Sequence, residues 1–149
     1  MKIFRQMTKF IKNAKQLLII TILLPLAVSP ARAETAETDA ELVARVVYAE
    51  ARGETRDGML MVAQCILDRL ANDMFGDTII DVVYAPGQFA RPGKLDDAIL
   101  EIAEAALSGE RYDETSEILF FRKTRSDADW HAPYLGRIGG HAYYGYAKN

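Results

Sequence analysis

A glutamate on the apolar face of an amphipathic helix constrains the fold of this chain more than any other feature. Thr38 and Glu41 have the spacing of a capping box, which predicts where the helix begins. The predicted core face recurs at helical spacing and consists of Leu42, Val43, Val46 and Val47. Glu50 follows the last two of these by four and three residues, so it projects from the same face. Gly53 can end the helix just beyond, which predicts that Glu50 lies at the rim of the core.

The position of Glu50 has two explanations. An unpaired carboxylate is costly to bury and usually takes up a proton, and an acid that stays protonated near neutral pH can act as a general acid. The alternative is that the side chain only borders the apolar stripe and reaches water, or pairs with Arg45 or Arg52. Spacing alone leaves both explanations open.

The first 33 residues have the organisation of a secretory signal peptide. Basic residues come first, with no acidic one among them: Lys2, Arg5, Lys9, Lys12 and Lys15. An apolar run from Leu17 to Val28 follows, and Ala31-Arg32-Ala33 is a small-residue cleavage signature. We expect cleavage after Ala33 and a periplasmic or secreted protein with no stable membrane insertion. An uncleaved membrane anchor is the alternative because the basic region is long, although the apolar run is shorter than the roughly 20 residues that span a bilayer.

Removal of 33 of the 149 residues leaves 116, enough for one compact domain, which we place at 41–149 after a short linker at 34–40. All 21 acidic residues follow Ala33, whereas six of the 18 Lys and Arg lie before it. The remaining part therefore carries 12 basic and 21 acidic side chains, a formal net charge of −9. An acidic domain is a poor candidate for binding nucleic acid, so we expect no such partner.

A second helix is predicted from about Gly58 to Leu70, with Thr55 or Asp57 as its cap, and it is apolar on most faces. Cys65 lies in this helix and is the only cysteine, which excludes an intramolecular disulfide. We expect it to be a small buried core residue and not a nucleophile.

The rest of the chain changes from helix to strand. An irregular loop over 84–93 with two Pro and two Gly precedes a third helix, which starts at Asp96 or Asp97 and is closed by Gly109. Residues 118–121 read as a short strand, and 137–144 as a second strand that pairs with it. The sequence therefore predicts an α+β domain, mostly helical with a short antiparallel β-hairpin.

Several motifs, taken in order, resemble the catalytic domain of the SleB-type cell wall hydrolases, the family that includes the spore cortex-lytic enzymes. They are Glu50-Ala51-Arg52-Gly53-Glu54, Ala63 to Arg69, Tyr84 to Phe89, Ala105 to Gly109, Leu119-Phe120-Phe121, Trp130 and Ile138 to Tyr144. The resemblance spans about 41–144. It implies a lysozyme-like fold, similar to the resuscitation-promoting factor domains, and a catalytic acid at Glu50.

The implied substrate is peptidoglycan, cleaved at the β-1,4 bond between N-acetylmuramic acid and N-acetylglucosamine. A hydrolase commonly uses two carboxylates, whereas a lytic transglycosylase can manage with one. Glu54 is four residues after Glu50, but Gly53 interrupts the helix between them. We therefore expect Glu54 and Arg52 to be supporting residues, and Glu50 to act alone as the general acid and base of a lytic transglycosylase. A hydrolytic muramidase or a phage-type endolysin is the alternative.

Candidate contacts to the sugars are aromatic, amide and imidazole side chains, which can pack on sugar rings or bind acetamido groups. They are Gln88, Phe89, Trp130, His141, Tyr143 and Tyr144. Some of the aromatic residues can equally belong to the core. We expect a monomer whose partner is the glycan strand.

Two rival functions are open. A zinc amidase acting on the same polymer needs three protein ligands, but only His131 and His141 are available and they share no ligand spacing. We therefore expect no metal and no cofactor. A non-catalytic periplasmic glycan-binding protein would have no use for an acid at Glu50, so an active Glu50 separates the two classes.

Overall fold

The computed structural model of the chain describes residues 36–148. The predicted signal peptide and its cleavage site lie outside these residues. The described elements are α1 Asp39–Ala51, α2 Arg56–Leu70, α3 Ile79–Tyr84, α4 Asp97–Leu107, β1 Ser116–Lys123, β2 Tyr134–Ile138 and β3 His141–Ala147. Within 36–148, no helix has the length and apolar character that crossing a membrane requires.

Helix α1 begins with the predicted capping box. The Thr38 hydroxyl accepts a hydrogen bond from the Glu41 backbone N–H, and the Glu41 carboxylate accepts one from the Thr38 backbone N–H at 2.8 Å. This pair satisfies two of the N–H groups that every helix start leaves without a partner. The predicted apolar face is buried as expected. The helix ends at Ala51, which leaves Glu50 in its last turn.

Helix α2 is the central helix and is buried along most of its length. Thr55 is its N-cap, the first of the two predicted candidates. Three polar residues are buried in it, namely Gln64, Asp68 and Arg69. The Asp68 carboxylate accepts from the Ile118 backbone N–H at 2.8 Å, and the Gln64 amide donates to the Ser116 carbonyl at 3.3 Å. These bonds fix the start of β1 against the helix.

The connection between α2 and the loop at 84–93 contains a short helix, α3, which the sequence did not predict. Thr78 caps it and accepts a hydrogen bond from the Asp81 backbone N–H. Its six residues are too few to show a helical period, which explains why the pattern of Ile and Val gave no clear signal.

Helix α4 has both predicted ends. Asp96 is the N-cap, and Gly109 follows the C-cap with φ +106°. The Gly109 N–H donates to the Ala106 carbonyl and the next N–H donates to the Ala105 carbonyl. This is the Schellman pattern, in which a glycine adopts the left-handed conformation at low cost.

The sheet has three antiparallel strands in the order β1-β3-β2. The predicted antiparallel pairing of 118–121 with 137–144 is confirmed for Phe120 and Phe121, which pair with Tyr144 and Tyr143, but the sheet has a third strand that was not expected. The segment 137–144 is the end of β2, a Gly139-Gly140 turn and the start of β3. Gly139 has φ +52°, which permits the tight reversal. The sequence predicted one continuous strand here because the residues on both sides of the turn favour β-structure.

The core lies between the helices and one face of the sheet. Alternate side chains of a strand point to opposite faces. Tyr143 accordingly joins the main core with α1, α2 and α4, while Ala142 and Tyr144 join a second, smaller cluster on the other face. Cys65 is completely buried in the main core, as predicted, and burial raises the pKa of its thiol to about 12.

Candidate active site

A groove made of four adjoining cavities passes the C-terminal end of α1. The aromatic cavity, of about 500 Å³, is lined by Arg69, Met74, Phe75, Ala85, Gly87, Gln88, Phe120, Phe121, Trp130 and His131. The acid cavity, of about 270 Å³, is lined by Ala49, Glu50, Arg69, Gln88, Phe121, Arg122, Lys123 and His141. The helix-end cavity, of about 390 Å³, is lined by residues 49–54 and Lys123. The basic cavity, of about 560 Å³, is lined by Lys123, Thr124, Arg125, Asp127, Arg137, Gly139 and Gly140.

Shared wall residues give the order of these cavities. Arg69, Gln88 and Phe121 border both the aromatic and the acid cavity. Glu50 borders both the acid and the helix-end cavity. Lys123 borders these two and the basic cavity. Glu50 therefore lies between an aromatic end and a basic end of one groove.

Glu50 is half-buried at the rim of the core, where its helical position predicted it. Its Oε1 atom accepts a hydrogen bond from the Ala90 backbone N–H at 2.5 Å. The alternative pairing with an arginine is not formed, because Arg45 pairs with Glu37 and the Arg52 guanidinium lies 5.2 Å from the centre of the Tyr48 ring. The carboxylate thus faces the groove with one oxygen held by a loop amide.

The loop that carries Ala90 is attached to α1 at a second point. The Gly93 N–H donates to the Arg45 carbonyl at 2.9 Å, and the Arg45 guanidinium donates to the Gly93 carbonyl at 3.0 Å. A Cβ at Gly93 would lie 2.6 Å from the Tyr48 ring, so only glycine allows this close approach. The irregular loop is therefore fixed along the helix that carries Glu50.

Glu54 lies beyond the end of α1 and makes contacts of a different kind. Its Oε2 atom accepts from the Gly140 backbone N–H at 3.0 Å, and its Oε1 atom is 3.6 Å from His141 Nδ1. The carboxylate also occupies the space where a Cβ of Gly139 would lie. Glu54 thereby joins the end of α1 to the β2–β3 turn.

His141 is buried at the start of β3 and lines the acid cavity. Burial lowers the pKa of His141 below its usual value, and the positive charge of Lys123 adds to this effect. Glu54 and Glu50 oppose it without reversing it. The imidazole is therefore neutral near pH 7 and can donate or accept a hydrogen bond.

Arg69 is a site residue that the sequence pattern did not identify as a candidate. The Arg69 Nε atom donates to the Leu119 carbonyl at 2.7 Å, and Nη1 is buried without a hydrogen-bond partner. Its guanidinium carbon lies 4.9, 4.7 and 5.4 Å from the ring centres of Phe75, Phe89 and Phe120, respectively. Such contacts stabilise a cation that has left water. The available signal was a run of polar residues, 64, 68 and 69, in an otherwise apolar helix.

Two of the predicted sugar contacts, Gln88 and Trp130, line the groove with accessible surface, and Phe89 packs against residues that line it. Gln88 is exposed in the wall between the aromatic and acid cavities. Trp130 is half-buried in the aromatic cavity, with the Arg122 guanidinium 4.5 Å from its ring centre. Phe89 is half-buried and packs against the core, 6.1 Å from Phe121 between ring centres.

The two tyrosines that were predicted to contact sugars are too deeply buried to do so. Tyr143 is 8% exposed and packs edge-on against Tyr112 in the main core, where burial raises the pKa of its phenol. Tyr144 has no exposed surface, and its hydroxyl accepts a hydrogen bond from Arg122 at 3.1 Å. Both are core residues because the sheet is covered on both faces, by the helices on the side of Tyr143 and by Trp130 and Ala132 on the side of Tyr144.

The two histidines lie in different surroundings. His131 is exposed beside Trp130 at the aromatic cavity, whereas His141 is buried beside Glu54. Over the part of the chain that the structure describes, no three side chains of His, Cys, Asp or Glu are grouped as metal ligands would be.

Comparison with known proteins identifies relatives that cover most of this chain. A family model described as Cell Wall Hydrolase matches residues 53–144. The spore cortex-lytic enzyme of Oceanobacillus iheyensis is 30% identical over 116 residues, which cover 72% of this chain and 41% of that protein. The cell wall hydrolase CwlJ of Bacillus subtilis is 29% identical over 119 residues, which cover 71% of this chain and 84% of that protein. The chain thus spans about two fifths of the first of these relatives.

Solved structures have the same fold. The catalytic domain of the Bacillus cereus SleB protein superimposes with a TM-score of 0.60 at 25% identity, covering 71% of this chain and 88% of that one. The catalytic domain described as that of the germination-specific lytic transglycosylase SleB of Bacillus anthracis gives a TM-score of 0.61 at 24% identity, covering 75% and 98%.

Proposed function

The chain belongs to the cell wall hydrolase family, and we propose that it degrades peptidoglycan by cleaving the β-1,4 bond between N-acetylmuramic acid and N-acetylglucosamine, with Glu50 as the general acid. The observation that carries this proposal is the place of Glu50 midway along the groove, with one oxygen held by Ala90. A glycan strand lying in such a groove would present its glycosidic oxygens to the carboxyl group.

Glu50 would act twice in one turnover. As an acid it gives its proton to the leaving O4 of N-acetylglucosamine while the C1–O4 bond breaks. As a carboxylate it then takes the proton of the muramic C6 hydroxyl, whose oxygen forms the new bond to C1. The product is a 1,6-anhydromuramic end, no water is consumed, and the acid returns to its starting state. The Ala90 N–H would hold the side chain in one orientation through both steps.

The contacts of Glu54 favour this scheme over hydrolysis. A hydrolase needs a second carboxylate to bind water or to stabilise the oxocarbenium-like centre. The two oxygens of Glu54 face Gly140 and His141, so the group is engaged in the β2–β3 turn. Arg52 stays a supporting residue, exposed at the end of α1 beside Tyr48.

The sugar contacts that we propose are Gln88 and Trp130. Gln88 borders the acid cavity with Glu50, where an acetamido group beside the scissile bond would lie. Trp130 is at the aromatic end, where its ring face can pack on a sugar. His141 is 1% exposed and Phe89 packs against the core, so we propose that these two position the wall of the groove and do not bind sugar. The lysozyme-like description of the fold, the periplasmic or secreted location and the monomeric state belong to the same proposal.

Product analysis tests the reaction type. Purified protein acting on peptidoglycan in water labelled with ¹⁸O should release muropeptides with unlabelled 1,6-anhydromuramic ends, detected by mass spectrometry, with or without EDTA. Labelled reducing ends would indicate a hydrolytic muramidase or endolysin. Free stem peptides would indicate an amidase, and a protein that binds sacculi without releasing products would be a glycan-binding module.

A further inference from the structure

The charges of the groove are opposite in sign to those of the domain as a whole. Residues 36–148 contain 12 Lys and Arg and 20 Asp and Glu. Six of the basic side chains line the four cavities, namely Arg52, Arg69, Arg122, Lys123, Arg125 and Arg137. Only three of the acidic ones do so, and one of these is Glu50. Half of the cations of an acidic domain are therefore concentrated along one groove.

The cations of the basic cavity are only partly neutralised. Arg137 donates to the Thr124 carbonyl and pairs with Asp127 at 3.2 Å. Lys123 and Arg125 are exposed, and among the described residues neither forms an ion pair. Their charges are therefore available to a ligand.

Lys123 connects the basic cavity to the reacting end of the groove. It lies opposite His141 in the β1–β3 pairing and borders the acid cavity as well as the basic one. A ligand held by Lys123 and Arg125 would therefore lie next to the part of a glycan strand that is positioned at Glu50. The aromatic end of the groove, on the other side of Glu50, suits uncharged ring faces.

We propose that the basic cavity binds the carboxylates of the peptide stem, so that the enzyme selects glycan that carries charged stems. This inference rests on the proposed function, because the stem is attached through the lactyl group to the muramic acid at the cleaved bond. Lysine supplies a compact positive charge, and arginine can bind a carboxylate through two parallel N–H groups. Binding energy from this remote group would be realised as a higher kcat/KM on stem-bearing strands.

The test compares two substrates that differ only in charge. One is soluble stem-bearing glycan, and the other is the same glycan with its stem carboxylates converted to methylamides. The wild-type protein should turn over the charged substrate with a kcat/KM about tenfold higher, a preference that salt reduces because the cations are exposed. Arg125→Gln, which lies in the basic cavity and away from Glu50, should lose about two- to fivefold on the charged substrate and little on the amidated one. Lys148→Gln, an exposed cation outside the four cavities, is the matched control.

Equal turnover of both substrates by the wild type would overturn the proposal, as would an equal loss on both substrates in Arg125→Gln. If the wild type cleaves neither substrate, the proposed function fails. The basic cavity is then tested by binding alone, using the Glu50→Gln protein on charged and methylamidated sacculi. Preferential binding to charged sacculi that weakens when Arg125→Gln is added supports the stem site. Equal binding to both kinds of sacculi refutes it, as does a preference that depends on phosphate groups of the wall and not on the stem carboxylates.

Discussion

The Oε1 atom of Glu50 lies 2.5 Å from the backbone nitrogen of Ala90, which donates a hydrogen bond to it from the loop after α3. The helix places the carboxylate at the rim of the core, and the loop amide selects the direction in which it points. Because the same loop is also bonded to Arg45 through Gly93, the orientation of the acid is determined by two connected attachments. An acid that must both give and receive a proton benefits from such a fixed orientation.

Glu50→Gln should lose roughly 100- to 10,000-fold in turnover of peptidoglycan and remain folded. The amide keeps the size of the side chain and an acceptor for the Ala90 N–H, but it has no proton to give. Muropeptide release measures the activity, and far-ultraviolet circular dichroism measures the fold. Glu101→Gln, an exposed residue of α4, should behave like the wild type. Near-normal turnover by Glu50→Gln would remove Glu50 from the mechanism.

Glu54→Gln should keep most of the activity, whereas Glu54→Ala should lower the free energy of unfolding by about 1–3 kcal/mol. The amide can still accept from the Gly140 N–H, but alanine leaves that donor without its partner. Chemical denaturation and turnover are measured on both variants. A folded Glu54→Gln protein without activity would instead make Glu54 the second carboxylate of a hydrolase.

Gly139→Ala should destabilise the protein more than Gly109→Ala does. Both glycines have positive φ, which costs an alanine about 1–2 kcal/mol. Open space surrounds Gly109, whereas the Glu54 carboxylate lies where the Cβ added at Gly139 would be placed. In a Glu54→Ala background the excess should disappear, as a double-mutant cycle in urea would measure. An excess that persists there would mean that the strain has another origin.

The free energy of unfolding should fall as the pH drops below about 6.5, in part because of His141. Burial lowers the pKa of His141 in the folded state, so below its usual value of 6.5 the unfolded chain binds more protons than the folded one. Stability is therefore fully present above that pH and is lost as the pH falls toward the lower folded pKa. The free energy of unfolding is measured by denaturation between pH 7.5 and about 5.5, above the range where most carboxylates titrate. In His141→Asn it should change less steeply with pH than in the wild type. His131→Asn, at the exposed histidine, is the control for the substitution itself.

Arg69→Met should lower the free energy of unfolding by about 1–3 kcal/mol. Leu119 is the residue that the pairing of β1 with β3 skips between Ile118 and Phe120, and its carbonyl accepts from Arg69 Nε. Methionine fills similar space but leaves that carbonyl without a donor and removes the contacts with three aromatic rings. Arg91→Met, at an exposed position, serves as the control in thermal or urea denaturation. An Arg69→Met protein as stable as the wild type would show that burying the charge of Arg69 destabilises the fold by more than its contacts stabilise it.

Features that depend on neighbours along the chain can be predicted from the sequence alone. The start of α1 at Thr38, the cap at Thr55 and both ends of α4 follow from hydrogen bonds that close within a few residues. The placement of Glu50 at the rim of the core follows from helical spacing in the same way. These features were predicted correctly because each is decided within one or two turns of helix.

Contacts between distant residues are set by the fold. Ala90 reaches Glu50 across 40 positions, Arg69 reaches Leu119 across 50, and Gly140 reaches Glu54 across 86. Tyr143 is buried against the helices and Tyr144 against Trp130 and Ala132, while the basic cavity joins residues from two separate segments. No local pattern encodes these contacts, because strand order, loop attachment and burial are set by how the whole chain packs.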